Sequence, residues 1–138
     1  MVPRQKQKGL VLQISETTSS ACCDPKWTTE ALGNLVDNAI KYTPSGSMTI
    51  SAAEYELFTR IDVTDTGIGI EESEQPKIFS RFYRSEAVRE NEGVGIGLYL
   101  AREIISGEGG YIKLTSEPGK GSTFSVFLPR QAEILQNC

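Results

Sequence analysis

Two asparagines and a lysine recur at helical spacing in the segment 34–41 of this chain. Asn34 and Asn38 stand one turn apart and Lys41 follows three residues later, so the three side chains share one stripe of a helix. Asparagine is a poor helix former, but its amide oxygen is a hard, neutral ligand that suits Mg²⁺ and also holds phosphate oxygens and water. The stripe therefore indicates either a site for a phosphorylated ligand or an ordinary solvated helix face.

An acidic residue stands at the end of a run in which apolar and polar side chains alternate. Asp65 is in register with Ile61 and Val63, so a strand would carry its carboxylate to the face that those residues bury. A charge on an apolar face needs a partner. Two partners fit: the backbone of the turn that follows, or an exocyclic amine such as that of adenine, with Gly67 and Gly69 allowing the backbone to approach the base.

Three alternating glycines, Gly93, Gly95 and Gly97, precede an apolar pattern of helical period. The free amides at the start of that helix could hold phosphates. The spacing lacks the third glycine of the dinucleotide-binding fingerprint, and no strand leads into it. The segment 118–123, Pro-Gly-Lys-Gly-Ser-Thr, superficially resembles a phosphate-binding loop, but a strand follows where that loop requires a helix. We interpret it as a hairpin turn.

Apolar periodicity divides the chain into the helices and strands that would position these side chains. Asp24-Pro25 is typical of a helix start, and apolar residues recur at helical spacing from there to Tyr42. The predicted elements are a strand at Leu10–Ile14, a helix at Pro25–Tyr42, hairpin strands at 48–52 and 57–63, a helix at Val94–Ile105, and strands at Tyr111–Ser116 and Ser122–Leu128. Their order indicates an α+β sandwich of one sheet against one helical layer. We expect one domain at 10–130, with a linker remnant at 1–9 and a tail at 131–138.

Composition narrows the classes of function that remain. The 138 residues suit one soluble domain, and a net charge of −4 with a pI near 4.9 argues against a nucleic-acid binder. No apolar stretch approaches the roughly 20 residues that a membrane span needs, and the first ten residues are too polar for a signal peptide. We therefore expect a cytoplasmic domain without membrane contact. The chain has no histidine, so none of its own can serve as base, nucleophile or metal ligand.

Five motifs in fixed order resemble the ATP-binding catalytic domain of sensor histidine kinases, in the superfamily shared with gyrase and the heat-shock chaperones. The resemblance covers residues 10–129 and implies a two-layer α/β sandwich with a mixed sheet. The motifs are Asn34-Leu-Val-Asp-Asn-Ala-Ile-Lys-Tyr-Thr, Asp65-Thr-Gly-Ile-Gly-Ile, Ile78-Phe-Ser-Arg-Phe-Tyr-Arg, Gly93-Val-Gly-Ile-Gly-Leu and Gly119-Lys-Gly-Ser-Thr-Phe.

The resemblance also implies the roles of single residues. It assigns Asn38 to Mg²⁺, Lys41 to phosphate and Asp65 to the amine of adenine. An arginine, Arg84 or Arg89, would neutralise phosphate charge. The remaining residues assigned to the nucleotide site are Tyr42, Gly67, Gly69, Leu98 and Thr123, together with Gly93, Gly95 and Gly97 in a hinged lid.

Residue 34 separates two chemistries within this superfamily. Hydrolytic members, and related serine kinases, carry a glutamate four residues before the asparagine that binds Mg²⁺. Here that place is Asn34, which cannot take a proton from water or serine. Transfer of a phosphoryl group to a histidine needs no such base from this domain, so Asn34 favours a histidine kinase.

The chain lacks the acceptor histidine that the family phosphorylates. The resemblance therefore implies donation of the γ-phosphoryl group of Mg·ATP to a histidine on a separate dimerisation domain of a parent kinase. The parent would be membrane-anchored and would serve a response regulator downstream. Two alternatives stay open: a nucleotide-sensing interaction domain without phosphotransfer, and a member that hydrolyses ATP.

Overall fold

A computed structural model of the chain describes residues 10–14, 24–43, 45–80 and 97–130. It contains five strands and two α-helices within those ranges, with a short 3₁₀ turn at Gln75–Lys77. In chain order they are β1 (Leu10–Ile14), α1 (Pro25–Tyr42), β2 (Gly46–Glu54), β3 (Phe58–Asp65), α2 (Gly97–Gly107), β4 (Tyr111–Glu117) and β5 (Gly121–Pro129).

The strands form one mixed sheet in the order β1-β2-β3-β5-β4. β1 runs parallel to β2, whereas the other neighbouring pairs are antiparallel. The two helices pack on one face of the sheet, which makes the predicted two-layer α+β sandwich. The predicted fold class is confirmed, and the limits of the predicted domain stay a prediction.

The core lies between the helices and the central strands. Leu35 of α1 and Ile105 of α2 are fully buried, as is Phe124 of β5, whose ring meets Phe79 edge to face at 6.0 Å. Burial of each such side chain stabilises the fold by about 1.5–3 kcal/mol. The packing also fixes which face of β3 looks toward the helices, because Val63 belongs to the same core.

The first helix begins where the sequence predicts. Asp24 Oδ1 accepts from the backbone N–H of Lys26 at 3.0 Å and of Trp27 at 3.5 Å, and Pro25 occupies the first turn. The second helix differs at its end: the prediction stops at Ile105, whereas α2 continues to Gly107. Ser106-Gly107 is therefore its last pair of residues, and the predicted residues 94–96 lie outside the described ranges.

Candidate functional site

Asp65 is a buried carboxylate at the end of β3. It is paired with Met48 on one side and Ser122 on the other, and only 2% of its surface is exposed. Asp65 Oδ1 accepts a hydrogen bond from the backbone N–H of Gly67 at 2.9 Å. This bond caps the turn, which is one of the two roles that the sequence allows for Asp65. Asp65 Oδ2 has no hydrogen-bond partner among the described residues. One oxygen therefore holds the turn, and the other keeps an unused acceptor position among the described residues.

The surroundings of Asp65 act on its charge in opposite directions. Burial raises the pKa of the carboxyl above its ordinary value of 3.8, while the backbone N–H groups of Gly67 and Ser122 and the hydroxyl of Thr43 lower it. Burial is the largest of these effects. The folded state therefore carries a cost for keeping this carboxylate ionised, a pattern found often at functional sites.

This cost predicts how the stability depends on pH. A carboxyl whose folded pKa is raised favours the folded state fully below its unfolded pKa and loses that contribution as the pH rises through the folded value. We expect Asp65→Asn to be at least as stable as the wild type at pH 7. Its advantage should shrink as the pH falls toward 3.8, which urea unfolding at several pH values measures. The comparison is the free energy of unfolding of Asp65→Asn minus that of the wild type. A smaller value of this difference at pH 7 than at pH 4 would contradict the prediction.

The loop that follows Asp65, residues 66–70, is fixed between α1 and the turn from β4 to β5. Ile68 N donates to Tyr42 O at 2.9 Å, and Ile68 O accepts from Gly119 N at 2.7 Å. A Cβ on Gly67 would lie 1.9 Å from Tyr42 O, and one on Gly69, where φ is +75°, would lie 2.2 Å from Glu117 O. Both glycines thus allow protein backbones to approach one another. Their approach to a base stays a prediction.

Two polar residues that the sequence did not single out complete the fixing of this loop. Ser116 Oγ accepts from Ile70 N at 2.8 Å and shares a hydrogen bond of 2.8 Å with Ser122 Oγ. Gln75 Nε2 donates to Ile70 O at 2.9 Å and to Ser116 O at 3.3 Å. These bonds tie the far end of the loop to β4 and β5, and only the folded chain brings the three segments together.

Thr123 lies on the opposite face of the sheet from Asp65. Its Oγ1 is 3.1 Å from Oγ1 of Thr64, its partner across β3 and β5. Because side chains alternate along a strand, the residue that shares the face of Asp65 is Ser122, which is buried and paired with it. Thr123 therefore does not share the buried face of Asp65, and its assignment to the nucleotide site stays a prediction. The alternation that buries Phe124 would have indicated Ser122.

Thr43 is a further residue that the sequence analysis did not assign to the site. It follows the last residue of α1 and is fully buried, and its Oγ1 has no hydrogen-bond partner among the described residues. In the sequence it is only the threonine that closes the first motif, directly after the predicted end of the helix. Its closeness to Asp65 arises from tertiary packing, which no local pattern in the chain encodes.

The polar stripe of α1 is half-buried and is therefore not a simple solvated face. Asn34, Asn38 and Lys41 are each of intermediate exposure. Asn34 Nδ2 is buried without a partner among the described residues, and Asn34 Oδ1 would lie 3.9 Å from a Cβ on Gly97. The structure thus brings Asn34 to the start of α2. Leu98, also assigned to the site, is partly buried and packs against the core.

Four of the predicted site residues lie outside the described ranges, namely Arg84, Arg89, Gly93 and Gly95. Their roles stay predictions. Within the described ranges, six of the predicted site residues fall into two groups. The first group is at the loop 66–70, which contains Gly67 and Gly69 and adjoins Tyr42 and Asp65. The second group is Asn34 and Gly97, which meet where the two helices come together.

Comparison with known families identifies the class to which this domain belongs. Residues 23–132 match the family described as "Histidine kinase-, DNA gyrase B-, and HSP90-like ATPase". That range contains α1, Asp65 and its loop, and the start of α2. The chain belongs to this family.

Within the family, the chain is similar to the catalytic domains of sensor histidine kinases. It is 37% identical over 131 residues to the circadian input-output histidine kinase CikA of Synechococcus elongatus, covering 93% of this chain and 17% of that protein. It matches the nucleotide-free catalytic domain of the histidine kinase ThkA with a TM-score of 0.81 at 26% identity, covering 96% and 87% of the two chains.

Full-length ShkA in complex with AMPPNP matches with a TM-score of 0.78 at 26% identity, over 92% of this chain and 27% of that one. The resemblance predicted from the five motifs is confirmed. The chain spans 17–35% of the length of the curated relatives that it matches first. No helix in the described part of the chain is long and apolar enough to cross a membrane.

Proposed function

We propose that this chain binds ATP with Mg²⁺ between α1 and the loop 66–70 and donates the γ-phosphoryl group to a histidine. That histidine belongs to a separate dimerisation domain of a membrane-anchored parent kinase, whose cytoplasmic part includes this chain. A response regulator would then receive the phosphoryl group. The names of the relatives support this proposal, since CikA and ThkA are histidine kinases.

The observation that carries the proposal is the unpartnered Oδ2 of Asp65. A buried carboxylate oxygen without a donor is costly unless a ligand supplies one. The exocyclic amine of adenine is such a donor. ShkA was solved with AMPPNP, an ATP analogue, which is consistent with an adenine nucleotide as the ligand.

The phosphate end of the site would lie along the polar stripe of α1. Asn38 would hold Mg²⁺ through its amide oxygen, which suits an ion that is commonly bound through one or two protein oxygens together with substrate phosphates and water. The ion would supply charge neutralisation on the phosphates. Lys41, one turn further along the helix, would neutralise the same charge, and Arg84 or Arg89 would add to it.

The transfer itself requires little covalent chemistry from this chain. An imidazole nitrogen of the acceptor attacks the γ-phosphorus, the N–P bond forms, and the bond to the bridging oxygen breaks, so that ADP leaves with the electron pair. The chain's contribution is to hold ATP in line with the acceptor and to neutralise charge. Asn34 near the phosphates offers no carboxylate that would activate water.

Adding a separately produced phosphoacceptor domain of the parent kinase tests the proposal. With γ-labelled ATP, we expect acid-labile phosphate on the acceptor histidine and negligible label on this chain alone. Nucleotide binding without a labelled acceptor would favour the nucleotide-sensing alternative. Steady release of inorganic phosphate without the acceptor would favour the hydrolytic alternative.

A substitution at residue 34 tests the alternative in which the chain hydrolyses ATP. Asn34→Glu would place a carboxylate where the hydrolytic relatives carry one, and general-base assistance is worth about 10²–10⁴ in rate where it operates. We expect a modest rise in ATP hydrolysis, measured as a single turnover with the protein in excess over ATP and above the Kd, so that weaker binding has no influence. An unchanged rate with ATP bound would show that residue 34 does not by itself separate kinase from hydrolase.

A further inference from the structure

Thr43 is a fully buried threonine that follows α1 and adjoins the loop 66–70. Its Oγ1 would lie 2.5 Å from a Cβ placed on Gly67, so the hydroxyl lies directly against that glycine. The backbone N–H of Gly67 donates to Asp65 Oδ1 at 2.9 Å. The hydroxyl of Thr43 and the carboxylate of Asp65 therefore adjoin the same residue, at the end of α1 and the end of β3.

Both groups keep an unused hydrogen-bonding atom. Neither Thr43 Oγ1 nor Asp65 Oδ2 has a hydrogen-bond partner among the described residues. The hydroxyl is nevertheless close enough to lower the pKa of the Asp65 carboxyl against the effect of burial. The hydroxyl of Thr43 thus acts on the charge of Asp65, although neither unused atom has a hydrogen-bond partner among the described residues. Two unpartnered polar groups at one buried place are rare in folded proteins.

We propose that Thr43 is a positioning residue that donates a hydrogen bond from its hydroxyl to the carboxylate of Asp65, keeps the carboxylate an acceptor-only group and thereby sets the preference for adenine over guanine. This inference rests on the proposed function. Adenine presents an amine donor at its 6-position, where guanine presents an oxygen acceptor. An ionised carboxylate accepts from the amine and repels the oxygen, whereas a protonated carboxyl has an O–H that the oxygen of guanine accepts.

Removing the hydroxyl takes away one of the donors that stabilise the ionised form. In Thr43→Val, which keeps the volume of the side chain, we expect ATP affinity to fall roughly tenfold and GTP affinity to stay the same or rise. The ratio of ATP affinity to GTP affinity, measured by calorimetric titration, should therefore fall about tenfold or more. Thr43→Ser keeps the hydroxyl and should retain the ratio of the wild type.

A matched control separates this effect from the general loss of a buried hydroxyl. Thr59 is also buried, but it lies at the other end of β3. Thr59→Val makes the same chemical change there, and we expect it to leave the ratio of ATP to GTP affinity unchanged.

A second measurement does not require any nucleotide. The chain has four aspartates, so ¹³C labelling of aspartate carboxyls yields few signals and allows Asp65 to be titrated by NMR. Its transition should move to higher pH in Thr43→Val and stay near the wild-type position in Thr43→Ser. A purely structural role for Thr43 would leave that transition in place. If Thr43→Val does not fold, Thr43→Ala compared with Thr43→Ser makes the same test.

The outcomes distinguish this inference from the proposed function. An unmoved Asp65 transition in Thr43→Val overturns the inference, and so does a moved transition with an unchanged ratio of ATP to GTP affinity. If the wild type binds neither nucleotide, the proposed function fails and the specificity claim fails with it. The NMR titration would then still decide whether Thr43 acts on Asp65.

Discussion

Replacing Asp65 with asparagine is expected to weaken ATP binding by about 10- to 100-fold while leaving the fold intact. A hydrogen bond to a charged group contributes about 1.5–3 kcal/mol, and each 1.4 kcal/mol is a factor of about ten in affinity. Asparagine has nearly the same shape, and its side-chain oxygen can still accept from Gly67 N, the bond that holds the turn at 2.9 Å. Calorimetric titration with ATP and Mg²⁺ measures the effect.

Asp62 provides the control for this variant. It lies three residues earlier on the opposite face of β3, where its Oδ1 accepts from Arg60 Nε at 2.9 Å. Asp62→Asn removes the same charge without touching the site, so its ATP affinity should match that of the wild type. An Asp65→Asn variant that is folded and binds ATP as tightly as the wild type would refute the assignment of Asp65 to the base.

Replacing Gly67 with alanine is expected to destabilise the fold by about 3 kcal/mol or more. The added Cβ would lie 1.9 Å from Tyr42 O, a backbone atom at the end of α1 that cannot move without displacing the helix. It would also separate Ile68 N from Tyr42 O, which are hydrogen-bonded at 2.9 Å. Urea unfolding monitored by circular dichroism measures the loss as a lower midpoint.

Gly33 is the matched control, because it is a glycine of α1 and, apart from the nearby backbone of the helix itself, no described atom lies within 4 Å of the position that a Cβ would take. Alanine there should stabilise the helix by up to about 1 kcal/mol, since alanine is the better helix former. The two Gly→Ala variants should therefore move the unfolding midpoint in opposite directions. A Gly67→Ala protein with the midpoint of the wild type would show that the loop 66–70 is not held against α1 as described.

Local patterns predicted the elements because each pattern has a local physical cause. The cap at Asp24 and the helical recurrence of apolar residues placed α1, and strict alternation placed β3 with Asp65 on its buried face. The same alternation, applied to β5, places Ser122 beside Asp65. Thr123 was assigned from resemblance instead, and the pleat of the strand puts it on the other face.

Contacts between distant segments had no signal in the sequence. Periodicity shows which face of an element is buried, but not which residue of another element meets it. Thr43 contacts Gly67 because the end of α1 packs on the loop after β3. Gln75 donates to Ser116 O because the segment after that loop lies next to β4. Gly67 and Gly69 were predicted to approach a base, whereas the structure shows first that they allow close backbone contacts.

The central claim is that Asp65 Oδ2 accepts a hydrogen bond from the amine of adenine, and an ATP analogue without that amine tests it directly. Purine riboside triphosphate should bind the wild type about 10- to 100-fold more weakly than ATP, because the donor is missing. Asp65→Asn should bind the two nucleotides within about twofold of each other. A wild-type protein that binds both equally well would contradict the claim, since no hydrogen bond from the amine would then contribute to affinity.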